Sequence, residues 1–211
     1  METSDDVIGK IPEDLKSCVK FHGHLCPGLI YGYLVSKEAQ KKLNLKRSTD
    51  EEVVTITEND SCAVDAFQVI LGCTKGKGNL FFKDYGKNAY TVISRSSQKA
   101  FRFYRKSEYQ YNGENKKEFE MLDEKISEGT ADAGEIHLQK MMKSMDLLLQ
   151  PFENIFHTSE VPVDMPPYAE LARSKACSGC GEMTMETKMI PDNKGDLFCI
   201  PCSEKGIIKV I

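Results

Sequence analysis

The chain has 211 residues, 40% hydrophobic and 28% charged, with a formal net charge of −4. That length fits one domain, or one domain plus a small module, with enough apolar residues for a core. The acidic balance gives no general reason to expect nucleic acid as the partner, and no apolar run approaches the about 20 residues of a membrane-spanning helix.

Met1-Glu2-Thr3-Ser4-Asp5-Asp6 lacks the basic start and apolar stretch of a signal peptide, so a cytoplasmic protein is expected. Its eight cysteines then point to metal or thiol chemistry rather than disulfides. Ile11-Pro12-Glu13-Asp14-Leu15 opens a first helix, with proline at its start and carboxylates in its first turn. That helix runs towards His22 and breaks at Gly23. Pro27-Gly28 opens a second, whose apolar positions are Leu29, Tyr33, Ala39 and Leu43. The spacing of Gly28 and Gly32 implies close packing against a neighbour.

Between these helices lies Phe21-His22-Gly23-His24-Leu25-Cys26-Pro27-Gly28. Two of the four histidines and one of the eight cysteines fall within five residues. Imidazole and thiolate ligate soft metals, or serve as acid, base and nucleophile near neutral pH. The blander alternative is hydrogen-bonded core histidines and a small buried thiol. The same alternative is preferred for His137, His157 and Cys18.

The β-branched run over residues 52–58 predicts an alternating strand. Asp60 or Ser61 is then the expected cap of a helix over residues 62–71. Cys62 would sit in its first turn, where N–H groups and the helix dipole lower a thiol pKa. Cys62, with Cys73 behind it, is the first candidate to complete a metal site with the histidines. Gly72-Cys73-Thr74-Lys75-Gly76-Lys77-Gly78 resembles an anion cradle, with Gly76, Lys77 and Gly78 as candidate binding residues. It lacks the spacing and the Ser or Thr of a Walker A loop.

Short strands are expected over residues 80–82, 89–94 and 100–105, the last two as a hairpin, and helices over residues 116–127 and 132–150. Pro151 ends the last helix, and residues 161–167, rich in proline, read as a stiff extended connector. The divisions expected are a core domain over residues 1–150, a connector over 151–168 and a small module over 169–211.

That module carries Cys177-Ser178-Gly179-Cys180 and Cys199-Ile200-Pro201-Cys202, two pairs separated by 18 residues. The spacing matches a structural zinc site, each pair giving two thiolates to one tetrahedron. So small a module needs such a staple to fold. A closed four-thiolate shell leaves no open position for catalysis. Basic and acidic residues balance in this segment, which disfavours nucleic acid.

Several blocks together resemble the FmdE family, which takes its name from formylmethanofuran dehydrogenase. They are Phe21-His22-Gly23-His24-x-Cys26-Pro27-Gly28, Asp60-Ser61-Cys62-Ala63-Val64-Asp65-Ala66-x-Gln68 and Gly72-Cys73-Thr74-x-Gly76-Lys77-Gly78-Asn79-Leu80. The four-cysteine segment is similar to the zinc finger that some members carry. The resemblance implies an α+β fold, a mixed sheet packed with helices, followed by a treble-clef zinc finger, and a homodimer. It further implies a Cys and His cluster in the core, and a link to formylmethanofuran and one-carbon metabolism of the methanogenic type.

Two roles follow. In one, the core is an enzyme or an accessory component of the oxidoreductase. His22, His24, Cys26, Cys62 and Lys77 are its candidate catalytic residues, His24 and Cys62 hold a second metal, and Asp60 or Asp65 orients a histidine. In the other, the protein is a non-catalytic adaptor or a carrier of metal or cofactor, docking partner proteins of an enzyme complex through the finger.

Overall fold

The computed structural model describes residues 9–204, so the acidic start at residues 1–6 lies outside them. The chain forms two units, Met1–Tyr168 and Ala169–Ile211. Each is described by itself.

The first unit opens with α1 (Glu13–His22), carboxylates in its first turn and Lys20 and His22 in its last. Gly23 closes it at φ 97°, donating its N–H to the Val19 carbonyl. Helix α2 (Pro27–Leu43) starts from Cys26, whose sulfur accepts a bond from the Leu29 N–H. Strand β1 (Val53–Thr57) leads into α3 (Ala63–Ala66), which widens into a π-helical turn (Phe67–Leu71) ending at Gly72. Strands β2 (Leu80–Phe82), β3 (Ala89–Ser94) and β4 (Lys99–Arg105) follow. Then come α4 (Lys116–Ser127) and α5 (Ala133–Leu149). A capping box between Asp132 and Glu135 starts α5. The unit closes with a single turn, α6 (Phe152–Ile155), and strand β5 (Phe156–Val161).

The five strands make one mixed sheet in the order β2-β1-β3-β4-β5. β1 and β2 are parallel, and the crossover that a parallel pair requires is supplied by α3. The other neighbours are antiparallel, with Thr55 opposite Val92 and Tyr104 opposite His157. The fold class is therefore α+β.

Both faces of the sheet are covered. Val53, Tyr90, Val92 and Phe103 join the main core with the helices. Val54, Ile56, Ile93 and Ala100 form a second layer with Phe81, Val161, Val163 and Met165. β1 is thus buried at all five positions, Thr55 and Thr57 included. Its alternation does not mark one wet face, because chain beyond β5 covers the side that helices leave open.

Three expectations are corrected. Residues 152–161 are not connector but the α6 turn and the edge strand β5. That strand carries His157, Thr158, Ser159 and Glu160 in its middle, too polar for the strand pattern to show. The segment that follows is packed, with Val163 and Met165 on the sheet. Arg95 holds its end, donating to the carbonyls of Pro166 (2.9 Å) and Pro167 (3.2 Å) and lying 4.0 Å from the Tyr168 ring centre. Finally, neither Asp60 nor Ser61 caps α3. Cys62 takes that position, and the Ser61 hydroxyl turns back to the Asn59 side chain at 2.9 Å.

The second unit is built from short pieces. β6 (Ser174–Ala176) pairs antiparallel with β7 (Met183–Met185). After a 3₁₀ turn (Glu186–Lys188), β8 (Met189–Pro191) pairs with β9 (Leu197–Cys199). α7 (Ile200–Glu204) follows directly. The small core comprises Met189, Phe198, Cys177, Cys199 and Cys202.

Candidate metal centre

Two glycines decide where the core site forms. A Cβ at Gly32 would lie 2.1 Å from the Ala63 carbonyl oxygen, and one at Gly28 would lie 3.0 Å from the Cys62 Cβ. Only a bare backbone lets α2 come this close to the first turn of α3. The contact sets the start of α2, where the Cys26 sulfur accepts from the Leu29 N–H, beside the start of α3, where Cys62 holds the position before the first turn.

His22 ends α1 and reaches across to α3. Its Nδ1 is 2.7 Å from Asp65 Oδ2, while Asp65 Oδ1 accepts a bond from Gln68 Nε2 at 3.0 Å. A carboxylate at Nδ1 fixes the proton there and leaves the Nε2 lone pair free. Nε2 lies 3.6 Å from the Cys26 sulfur. The His24 ring centre is 4.6 Å from that of His22. One donor atom each from His22, His24 and Cys26 falls within 4.8 Å of the others, close enough to share a metal ion. Cys26 is buried at the floor, His22 is half-buried and His24 is exposed at the mouth.

The electrostatics favour neutral imidazole at the mouth. Burial, then the neighbouring His22, Lys140 and His137, hold His24 below its usual pKa. Neutral imidazole is the ligating form. Burial pushes the Cys26 thiol up to about 11, against the opposing pull of the Leu29 N–H. A positive charge at the sulfur would reverse that balance, since metal coordination removes the thiol proton.

The other sequence candidates fall in different places. Cys62 stands next to Cys26 but outside the three-donor group. Cys73 is fully buried and points its thiol at the Val53 carbonyl, 3.4 Å away. Lys77 is not brought to the histidines. Its ammonium donates to the Ser48 and Thr49 carbonyls at 3.1 and 3.2 Å, and the Ser48 N–H bonds Leu71 at the far end of the Cys62 helix. The Lys77 and Gly78 N–H groups bond within their own loop, to Thr74 Oγ1 and the Lys75 carbonyl, while the space beside Gly76 is open. These bonds, with Asn79 reaching Asp50 and Val53, shape the loop from inside.

Sequence reasoning offered Asp60 and Asp65 equally as the group that orients a histidine; geometry selects Asp65. It missed Gln68, although Asp65 and Gln68 share one helix face three residues apart. It also set His137 aside, because α5 is distant in sequence from the histidine run and only the packing brings His137 and Lys140 near His24.

In the second unit the sulfurs of Cys177, Cys180, Cys199 and Cys202 lie within 4.8 Å of one another. The N–H groups of Cys199 and Gly179 point at the Cys177 sulfur from 3.2 and 3.4 Å. Gly181, at φ 77°, closes the turn between the first two cysteines and β7.

An α+β core that gathers imidazole and thiol at a helix junction, followed by a four-cysteine module, defines a class of protein with two side-chain groups that could each hold a metal ion. A family model described as "FmdE, Molybdenum formylmethanofuran dehydrogenase operon" matches residues 21–157. The chain belongs to the FmdE family. It is similar to a probable S-adenosyl-L-methionine-binding protein of Archaeoglobus fulgidus, 29% identical over 213 aligned positions. That alignment takes in 95% of this chain and 57% of the archaeal protein, so the chain spans little more than half of that relative's length. Its fold is similar to the crystal structure of an FmdE-like protein of the tungsten formylmethanofuran dehydrogenase type from Syntrophus aciditrophicus. The TM-score is 0.56 and the identity 18%, over 92% of this chain and 91% of the other. Among the described residues no helix is long and apolar enough to cross a membrane.

Proposed function

We propose that the core binds a catalytic metal ion through His22 Nε2, His24 and the Cys26 thiolate, and that it serves formylmethanofuran-type one-carbon chemistry as an accessory protein of the oxidoreductase. The observation that carries this reading is the Asp65–His22–Cys26 array, a carboxylate-oriented imidazole aimed at a thiol. Three protein donors leave a coordination position open, as catalytic sites need. A metal held there supplies Lewis acidity to a carbonyl-type group. Asp65 keeps the His22 proton on Nδ1, Gln68 keeps Asp65 in place, and Cys62 stands ready as a further thiol beside Cys26. In this reading the finger is a structural treble clef. Its four thiolates fit zinc's closed tetrahedral shell, and the chain acts in the cytoplasm as a homodimer.

A second reading, that of an adaptor or carrier, is favoured by the finger's surface. Met183, Ile190 and Ile200 are exposed on it, apolar side chains that a docking partner could cover.

Counting metals separates the roles of the two sites. The full chain should hold two ions. Cys177→Ser with Cys199→Ser should remove one, and His22→Ala with Cys26→Ser the other. Loss of all metal on changing the finger alone would sink the core-metal reading. Formylmethanofuran turnover by the isolated chain would argue against a pure adaptor.

A further inference from the structure

We propose that the pocket at the carboxyl end of β1, walled by Lys87, Asn88, Arg105 and Lys106, is a subsite for the oxyanion group, carboxylate or phosphate, of a small molecule that also reaches the Cys/His cluster. This rests on reading that cluster as the working site.

The pocket encloses about 510 Å³. Its cations outnumber its acids. Arg102 also lines it, but that charge is matched by a two-pronged bond to Glu58 at 2.8 and 3.0 Å. Lys106 donates to the Glu153 carbonyl at 2.6 Å, which holds the ammonium in place without cancelling its charge. Arg105 is steadied by its Nε bond to the Ser107 carbonyl at 3.1 Å, and its guanidinium lies 5.5 Å from the Tyr31 ring centre. Lys87 is exposed and makes no ion pair among the described residues. Glu108 is the one acid in the lining. Three unmatched cations against one carboxylate favour an anion. Of these, the planar guanidinium offers the paired donors that carboxylate and phosphate oxygens accept.

A chain of hydrogen bonds runs from the pocket wall towards Cys62, the thiol beside Cys26. Asn59 Nδ2 donates to Asn88 Oδ1 in the pocket wall at 3.3 Å. Asn59 Oδ1 in turn accepts from the Ser61 hydroxyl and N–H at 2.9 and 3.3 Å, and Ser61 directly precedes Cys62. The Glu58 N–H bonds the Ala89 carbonyl, so the end of β1 and the start of β3 form one rim. The chain leaves the carboxyl end of β1 and turns into the crossover that leads to β2. The helix of that crossover is α3, and Cys62 stands at its start.

Calorimetric titration of the full chain at low salt, with citrate and with pyrophosphate as probes, tests the subsite. At least one probe should bind, and which one binds distinguishes a carboxylate from a phosphate ligand. Lys87→Glu should weaken that probe about tenfold or more, with Arg105→Gln doing the same. Lys41→Gln, an exposed change on α2, should leave it unaltered. Because Arg105 also packs on Tyr31, the decisive variant is Lys87→Glu, at an exposed position. Binding of neither probe, or an affinity that survives Lys87→Glu within about twofold, overturns the proposal. Metal content is read on the same samples. A chain without core metal that binds the probe through Lys87 removes the metal reading and keeps the subsite; one with core metal and no probe binding does the opposite.

Discussion

At the scale of single residues, the core site depends on an aspartate that ligates nothing. Asp65 touches His22 and Gln68, so its work is to hold a ring and a proton. Asp65→Asn should lower core metal affinity about 10–100-fold while leaving the finger metal bound, as read by competition against a chromophoric chelator. A different carboxylate makes its own contribution to stability dependent on pH. The Ser48 hydroxyl, then its own and the Asp50 N–H, hold Glu52 at about 2, below its ordinary 4.5. A lowered pKa in the folded state means that its contribution is full above about pH 4.5 and is lost as pH falls through about 2. Glu52→Gln should therefore be less stable than the parent chain in urea at neutral pH, and the gap should close on acidification across that range. His22, His24, Cys26 and the four finger cysteines were legible because ligand types crowd together in sequence. His137 and Lys140 were not, since no local pattern distinguishes them from surface residues, and Gln68 was marked only by its spacing from Asp65 on one helix face. Lys77 drew notice as an anion ligand because glycines and lysines alternate there; in the fold its ammonium donates to the Ser48 and Thr49 carbonyls, away from the histidines.

At the scale of elements, the site is a consequence of how closely α2 approaches α3. Gly32→Ala would drive a methyl group to 2.1 Å from the Ala63 carbonyl. Backbone cannot yield as a flexible side chain can, so the two helices must part, at a cost of about 1–3 kcal/mol or more. Thermal unfolding should show the loss directly. Parting the helices also moves Cys26 away from Asp65, the α3 residue that orients His22, so core metal should weaken in the same variant; unchanged metal affinity would mean that this contact does not build the site. The sequence marked the contact through the Gly28 and Gly32 spacing. Most helix bounds were legible too, because Pro12, Gly23, Pro27 and Pro151 punctuate the chain. Strand β5 was not, because its middle is polar and its place is set by pairing with β4, which no local pattern encodes.

At the scale of the whole molecule, the first unit extends to Tyr168 because chain after β5 completes it. A fragment ending at residue 168 should fold, whereas one ending at residue 155 lacks both β5 and the cover of Val163 and Met165. The shorter fragment should bind a hydrophobic dye strongly and aggregate, since Val54, Ile56 and Ile93 would lie bare on an open sheet with a new unpaired edge. The four-cysteine module could be read from spacing, and the α+β class from the resemblance of the motif blocks to the FmdE family. That the second face of the sheet is roofed by a proline-rich segment could not, because such a segment carries the same signature whether it spans open solvent or packs.

The graded exposure of the core cluster also has a kinetic meaning. Its thiol lies at the floor and His24 at the mouth, so for an ion held there an incoming ligand would meet the outer imidazole first and would displace it while His22 and Cys26 kept hold. Stepwise substitution of that kind makes an ion exchangeable, however tightly it is held at equilibrium. The finger offers no such handle on three sides, with Cys177, Cys199 and Cys202 buried and only Cys180 exposed. One chain would thus carry a labile ion and an inert one, and the labile ion is the one whose outer ligand meets arriving molecules.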